Sequence, residues 1–414
     1  MKKIDYDITM EYMIKILMCL MPMATLGIRK LQFNVLIPLL LILSIIQIYK
    51  KGLKISFYEK YLLFFIVAVL ISLGFSNYPI KLGLKAGKSF LWVLMLPTLF
   101  GQFEIKEKYF KYSFFSMILG SLILYKGFLE EIQNVLKVRF GIVEPLYKTL
   151  SYKNMMLLQK LGTGYRLSGE FTYIALTASI LGMLILVVFT IIFEKNIDKF
   201  YKSCLGIFLI PTIYFFLLTQ SRAGYLSLII VVISYLTYIF KNKIMYIVVS
   251  LFVSCLGLIH IFKNNPYIIR AKNIFKIDGS NLGRLEVYEE SLRLFKNNFI
   301  TGVGYENFIL AQDRSGYKVH KFYYHSHNMG LKLLSELGIL GFISYYLWMF
   351  QILKNLFLEK EKLIKRITFL VVLNYLIFEN FEILVINRVV YSVLFLILAF
   401  GINSNYKEIK GVER

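Results

Sequence analysis

With 414 residues, a formal charge of +23, 57% hydrophobic residues and only 18% charged ones, the chain is not a soluble globular protein, because such a domain keeps roughly a quarter of its residues charged. A mean hydropathy of +0.63 fits a polypeptide embedded in lipid, and seven prolines with 26 glycines exclude collagen and low-complexity linkers. Lysine and arginine come in short clusters between apolar segments rather than along one face, a pattern of membrane topology and not of nucleic-acid binding.

Apolar windows of about 17–22 residues centre near Cys19, Leu41, Ile66, Leu94, Ile118, Gly182, Leu209, Ile230, Leu251, Tyr345, Val372 and Phe395. The expected fold class is an all-α polytopic membrane protein of about twelve transmembrane helices, with a large extracytoplasmic loop before the tenth. Lys2 and Lys3 precede the first apolar run, but Asp5, Asp7 and Glu11 point to an uncleaved span rather than a signal peptide. Cys19, Cys204 and Cys255 lie far apart within apolar stretches, so no disulfide framework is implied.

Basic residues concentrate in alternate connections: Lys50, Lys51, Lys54 and Lys60; Lys106, Lys108 and Lys111; Lys195, Lys199 and Lys202; Lys241 and Lys243; and Lys354 to Arg366. By the positive-inside rule these connections and both termini are cytoplasmic. The short outer connections hold only Arg29, Lys30, Lys81, Lys85, Lys88, Arg222 and Arg388. The chain then divides into N-terminal helices at 1–128, a first long extracytoplasmic loop at 129–170, central helices at 171–262, a large extracytoplasmic loop at 263–327, and C-terminal helices with a cytoplasmic tail at 328–414. Within the large loop, Leu285, Tyr288, Leu292 and Phe295 recur at helical spacing after a candidate cap, Asn281, which predicts a short amphipathic helix at the membrane surface.

All four histidines, His260, His320, His325 and His327, fall at or in that loop. The pair in HSHN supplies two imidazoles on opposite sides of an extended segment, short of a metal array, so neither metal nor cofactor is expected. After His327, the run HNMGLKLLSELGILG places Leu331, Leu334, Gly338 and Gly341 within roughly 40° of His327 on a helix. The two glycines read as packing positions that let another helix come close. Arg222 in TQSRAGY, Arg166 in YRLSGEF and Arg284 at the start of the loop helix lie on the outer side, where snorkelling to the cytoplasm does not explain them. Guanidinium forks there suit a diphosphate. Fixed cations for a phosphate leaving group, with an imidazole to take a proton from an attacking hydroxyl, suit glycosyl transfer from a lipid diphosphate.

At HNMGLKLLSELGILG the sequence resembles the O-antigen ligase and polymerase superfamily of bacterial membrane glycan transferases. That family's signature is His-Asn, nine residues, Gly, two residues, Gly, matched here by His327, Asn328, Gly338 and Gly341, with Glu336 also in a familiar place. RLSGEF at 166–171, TQSRAG at 219–224, NLGRLEVYEESLRLF and ITGVGYENF at 300–308 extend the likeness over Arg166 to Trp348. The resemblance implies a metal-independent membrane enzyme of the bacterial cytoplasmic (inner) membrane, active on its outer face. It would move a glycan from undecaprenyl diphosphate to an acceptor hydroxyl. His327 would be catalytic, Arg222, Arg284 and Arg166 would hold the donor diphosphate, and His325, Asn328 and Glu336 would support them. One dominant loop leans towards a ligase acting on lipid A core; a polymerase would extend a lipid-linked repeat unit by the same chemistry. A flippase for the same lipid would need ionisable residues at mid-membrane, and the spans hold few.

Overall fold

The computed structural model describes residues 6–105, 109–139, 166–167, 174–240, 279–312, 325–384, 388–403 and 407–408, and these are almost all helical. The chain separates into two compact units, one of Met1–Leu124, Gly279–Val372 and Glu379–Arg414, the other of Tyr125–Asp278 and Leu373–Phe378.

Helix α1 (Tyr6–Gly27) is followed by α2 (Ile37–Lys51), entered through a π turn at Gln32–Leu36. A capping box starts α3 (Phe57–Gly74): the Ser56 hydroxyl accepts from the Tyr58 amide, and the Glu59 carboxylate accepts from the Ser56 amide at 2.8 Å, which satisfies amides that have no partner within the helix. The expected fourth span instead breaks at Met95 into α4 (Ile80–Leu94) and α5 (Leu96–Gly101). Pro97 stands in the first turn of α5, where its missing N–H costs nothing, whereas inside a continuous helix it would remove a hydrogen bond. Helix α6 (Phe110–Arg139) runs ten residues past the expected start of the first loop at 129, because Glu130, Glu131, Gln133 and Lys137 end the hydrophobicity but remain good helix formers. The rest of that loop lies outside the described residues, apart from Arg166 and Leu167.

In the second unit, α7 (Ile174–Ile192) is packed by α8 (Lys199–Thr219) and α9 (Arg222–Phe240). Asp198 caps α8 by accepting from the Phe200 amide at 2.8 Å. Helix α10 (Gly279–Asn297), the short α11 (Phe308–Ala311) and α12 (Met329–Leu358) return to the first unit; α13 (Leu363–Glu379) and α14 (Arg388–Ile402) complete the helices. The loop helix starts before Asn281, so that residue is not its cap. Its buried face also differs from the apolar stripe: Val287 and Leu294 form a core with Val303 and Phe308, while Leu285 and Leu292 stay exposed.

Helix α12 lies along α3. Its Trp348, 1% exposed, stacks on Phe65 at 5.9 Å between ring centroids and meets Phe395 of α14 at the same distance. At one end of this unit Lys51 pairs with Asp7 at 2.6 Å, and a two-residue ladder joins β1 (Lys54–Ile55) to β2 (Lys407–Glu408). There too Asn403 donates to the Phe100 carbonyl at 3.0 Å. The N-terminal helix, the α2–α3 connection and the C-terminal tail, which the basic clusters assign to one side, therefore meet.

Among the described residues, eight helices are long and apolar enough to cross a membrane. The segments around Leu94, Val372 and Phe395 form shorter helices, with 15 residues in α4 and α14 and 17 in α13, and a 15-residue helix spans about 22 Å of a hydrocarbon core near 30 Å. The span expected around Leu251 lies outside the described residues, as do His260 and His320. Helix α12 carries one departure from the expected apolar interior: Lys332 and Glu336, both buried, form an ion pair at 2.8 Å.

Candidate active site

The His-Asn pair is not on a helix face but in the turn that opens one. Helix α12 begins at Met329, and His327 sits before it with φ +54, a left-handed conformation uncommon outside glycine and often found at functional sites. Asn328 explains the turn. Its side-chain oxygen accepts from the Leu331 amide at 3.0 Å, while its amide nitrogen donates to the Asn380 carbonyl at 2.7 Å. One residue thus caps α12 and fastens it to the segment between α13 and α14.

That segment brings in Glu382. Its carboxylate, 9% exposed, lies 2.7 Å from His327 Nδ1 through one oxygen and 3.0 Å from an Arg284 nitrogen through the other. An ionised carboxylate can only accept, so Nδ1 carries the proton of this hydrogen bond, and in the neutral ring Nε2 is then the acceptor nitrogen. The orienting partner thereby fixes the tautomer. The His325 ring lies 4.4 Å from that of His327, and its Nδ1 accepts the His327 amide at 3.4 Å. Burial first, then the fields of His327, Lys332 and Arg284, hold His325 well below the usual imidazole range, so it stays neutral.

Beneath the turn, Gly338 breaks the helix with φ +65 and ψ −164. The chain at 299–304 lies in the break: Val303 and Gly304 amides donate to the Ser335 and Glu336 carbonyls, and the Ile339 amide donates to Phe299, all at 2.9 Å. A methyl group on Gly338 would stand 2.3 Å from the Ile300 oxygen, and one on Gly302 would stand 2.3 Å from the Glu336 carbonyl carbon. Of the two signature glycines, Gly338 therefore admits a loop rather than a second helix, Gly341 faces the Leu337 side chain of its own helix, and His327 does not share a helical seam with them. Glu336 bonds to other groups than the histidines. It pairs with Lys332 and accepts the Glu306 amide at 2.8 Å, while Lys332 also reaches Glu306 at 2.9 Å.

Residues 207–346 match the family model described as O-antigen ligase. Over that segment the chain is similar to the O-antigen ligase superfamily. That similarity supports glycan transfer of the ligase or polymerase type in lipopolysaccharide biosynthesis, by a glycosyltransferase-like enzyme of a bacterial membrane. No curated protein matches the chain. The O-antigen ligase segment includes Arg222, Arg284, His325, His327, Asn328 and Glu336, and stops short of Arg166 and Glu382.

Of the three arginines singled out by the sequence, Arg284 is the one joined to His327, through Glu382. Arg166 and Arg222 belong to the second unit. There Arg166 donates to the carbonyls of Thr219 at 3.3 Å and Gln220 at 3.1 Å, bracing the turn that starts α9 at Arg222. Glu382 escaped the sequence reading because it is 55 positions beyond His327 with no periodic relation to it. The available signal was Glu379 and Glu382 within three residues, at a connection between two apolar segments of a chain with only 25 carboxylates against 48 basic residues.

Donor atoms of His325, His327 and Glu382 lie within 4.8 Å of one another, close enough for a cation to be considered. The Arg284 guanidinium occupies the second oxygen of Glu382, and a fixed positive charge there opposes a divalent ion while favouring an anionic ligand.

Proposed function

We propose that the chain is an O-antigen ligase-like glycosyltransferase that moves a glycan from undecaprenyl diphosphate to a sugar hydroxyl of lipid A core, on the outer face of the bacterial cytoplasmic membrane and without a metal. The observation that carries this reading is the Arg284–Glu382–His327 relay, in which Glu382 holds Nδ1 of the imidazole. His327 Nε2 takes the proton of the acceptor hydroxyl as that oxygen bonds to the anomeric carbon. The bond from that carbon to the phosphate oxygen breaks, and the lipid diphosphate leaves as an anion. Arg284, a third exposed and with N–H donors beyond the one given to Glu382, offers them to that developing charge. His325, Asn328 and Glu336 hold the turn and the broken helix in place.

The test is a deletion strain complemented with wild type or His327→Ala, read by surface-glycan gel and by the pool of lipid-linked glycan. Loss of attached glycan with long chains accumulating on the carrier supports a ligase. Core bearing a single repeat unit assigns the polymerase reaction instead. A normal pattern with His327→Ala removes the enzymatic reading and reopens transport of the same lipid.

A further inference from the structure

Helix α10 has a buried face, an exposed face and a flank between them. Val287, Ser291 and Leu294 are buried, Leu285 and Leu292 are exposed, and Tyr288 is half-buried. Arg284 shares the flank of Tyr288, because four residues along a helix make one turn with a rotation of only about 40°, which leaves their Cβ atoms roughly 5–6 Å apart. Arg284 is bonded to Glu382, and Glu382 to His327. Tyr288 thus follows the charged relay by one helical turn, and its phenol lies in the fields of both Arg284 and Glu382.

The side chain is not committed to the fold. Among the described residues, its ring stacks on no other aromatic side chain and its hydroxyl makes no hydrogen bond, whereas a structural tyrosine usually finds a partner for that group. Burial first, opposed by the field of Arg284, raises its pKa, so at neutral pH the hydroxyl keeps its proton and can donate as well as accept. These properties select among ligands. The electron-rich ring face attracts the polarised C–H bonds on one side of a pyranose, and the phenol bonds to hydroxyls on the sugar's rim. A phosphate is repelled by that face, and a hydrocarbon chain gains nothing from the hydroxyl.

We propose that Tyr288 is the stacking platform on which a pyranose ring rests beside the Arg284–Glu382–His327 relay, and so a residue that selects the sugar at this site. The acceptor sugar and the first sugar of the donor share this chemistry, and the test separates them. That the pyranose is a substrate of transfer rests on the reading above; the sugar site itself does not.

The test uses the full-length protein in detergent and two lipid-free probes: core oligosaccharide released from lipopolysaccharide by mild acid, and the methyl glycoside of the sugar at the reducing end of the repeat unit. Saturating the aromatic protons should transfer magnetisation to the C–H protons on one face of a probe's ring. Tyr288→Leu should lower that transfer, and the affinity for the probe, roughly tenfold, with the melting temperature kept; Tyr288→Gln serves if the leucine prevents folding. Tyr288→Phe, which keeps the ring, should retain most of the effect, and Leu292→Ala on the exposed face should change nothing. In proteoliposomes with purified donor and acceptor, Tyr288→Leu should raise one KM roughly tenfold with kcat nearly kept. A change in the acceptor's KM seats the acceptor sugar on the ring, and a change in the donor's KM seats the donor's first sugar there. Unchanged binding and unchanged KM values in a folded Tyr288→Leu protein overturn the proposal. An equal loss in Tyr288→Phe assigns the effect to the hydroxyl and rejects stacking. Stacking as expected in a protein that transfers no glycan keeps the sugar site and rejects the transfer reading, whereas transfer that needs His327 but ignores Tyr288→Leu does the reverse.

Discussion

The residue with most influence on the chemistry of the site is one that touches no substrate. Glu382 holds His327 by Nδ1, so its removal frees the imidazole to rotate and to take the wrong tautomer. Glu382→Gln, with nearly the same volume, should lower transfer on the order of 10²–10⁴-fold while leaving the melting temperature within a few degrees, measured with purified donor and acceptor in proteoliposomes. A large drop in melting temperature alongside the loss would assign Glu382 to the fold instead. His325 gives a second expectation, in stability. Its folded-state pKa is depressed by burial, so below about 6.5 the unfolded chain binds a proton that the folded one does not. Stability therefore falls as the pH drops from about 6.5 towards the folded value. His325→Asn should flatten that part of the melting-temperature profile, and an unchanged slope would locate the acid sensitivity elsewhere.

At the scale of elements, α12 is built around its interruption. Gly338→Ala places a methyl group against the Ile300 carbonyl at a positive φ, and a residue held in so sparse a conformation costs about 1–3 kcal/mol before the clash is counted. The variant should lose thermal stability and reposition the His-Asn turn; a wild-type melting curve would show that the loop at 299–304 can move away. The buried Lys332–Glu336 pair makes a paired prediction. Lys332→Met leaves Glu336 uncompensated and should destabilise by about 3–5 kcal/mol, whereas Lys332→Met with Glu336→Leu should recover most of that. Glu306, which also binds Lys332, is partly exposed and can be hydrated in the double variant. These elements also show what the sequence conveys. The signature residues and the loop helix were legible because both are local patterns. That Gly338 accepts a loop, that the α10 core runs through Val287 and Leu294, and that Glu382 meets His327 depend on contacts between separate segments of the chain, which no single period records.

For the whole molecule the deciding quantity is which side the histidines face. Basic residues favour the cytoplasm at about 1 kcal/mol each near an anionic surface, and the segments rich in them meet at one end of the first unit, where Lys54 pairs with Glu408 and Lys51 with Asp7. Ser76, in the connection after α3, is bonded instead to the Val303 carbonyl of the signature loop. Since α3 crosses between these two environments, the basic end and the loop at 299–304 should lie on opposite faces of the membrane. In a background with Cys19, Cys204 and Cys255 changed to Ser, Leu53→Cys and Phe299→Cys, both at exposed positions, report the two ends. An impermeant maleimide should label Phe299→Cys in intact spheroplasts and Leu53→Cys only after lysis. The reverse pattern would put His327 on the cytoplasmic face, where a lipid-linked glycan is assembled rather than transferred outward, and would reject the outer-face reaction whatever the chemistry of the Glu382–His327 pair.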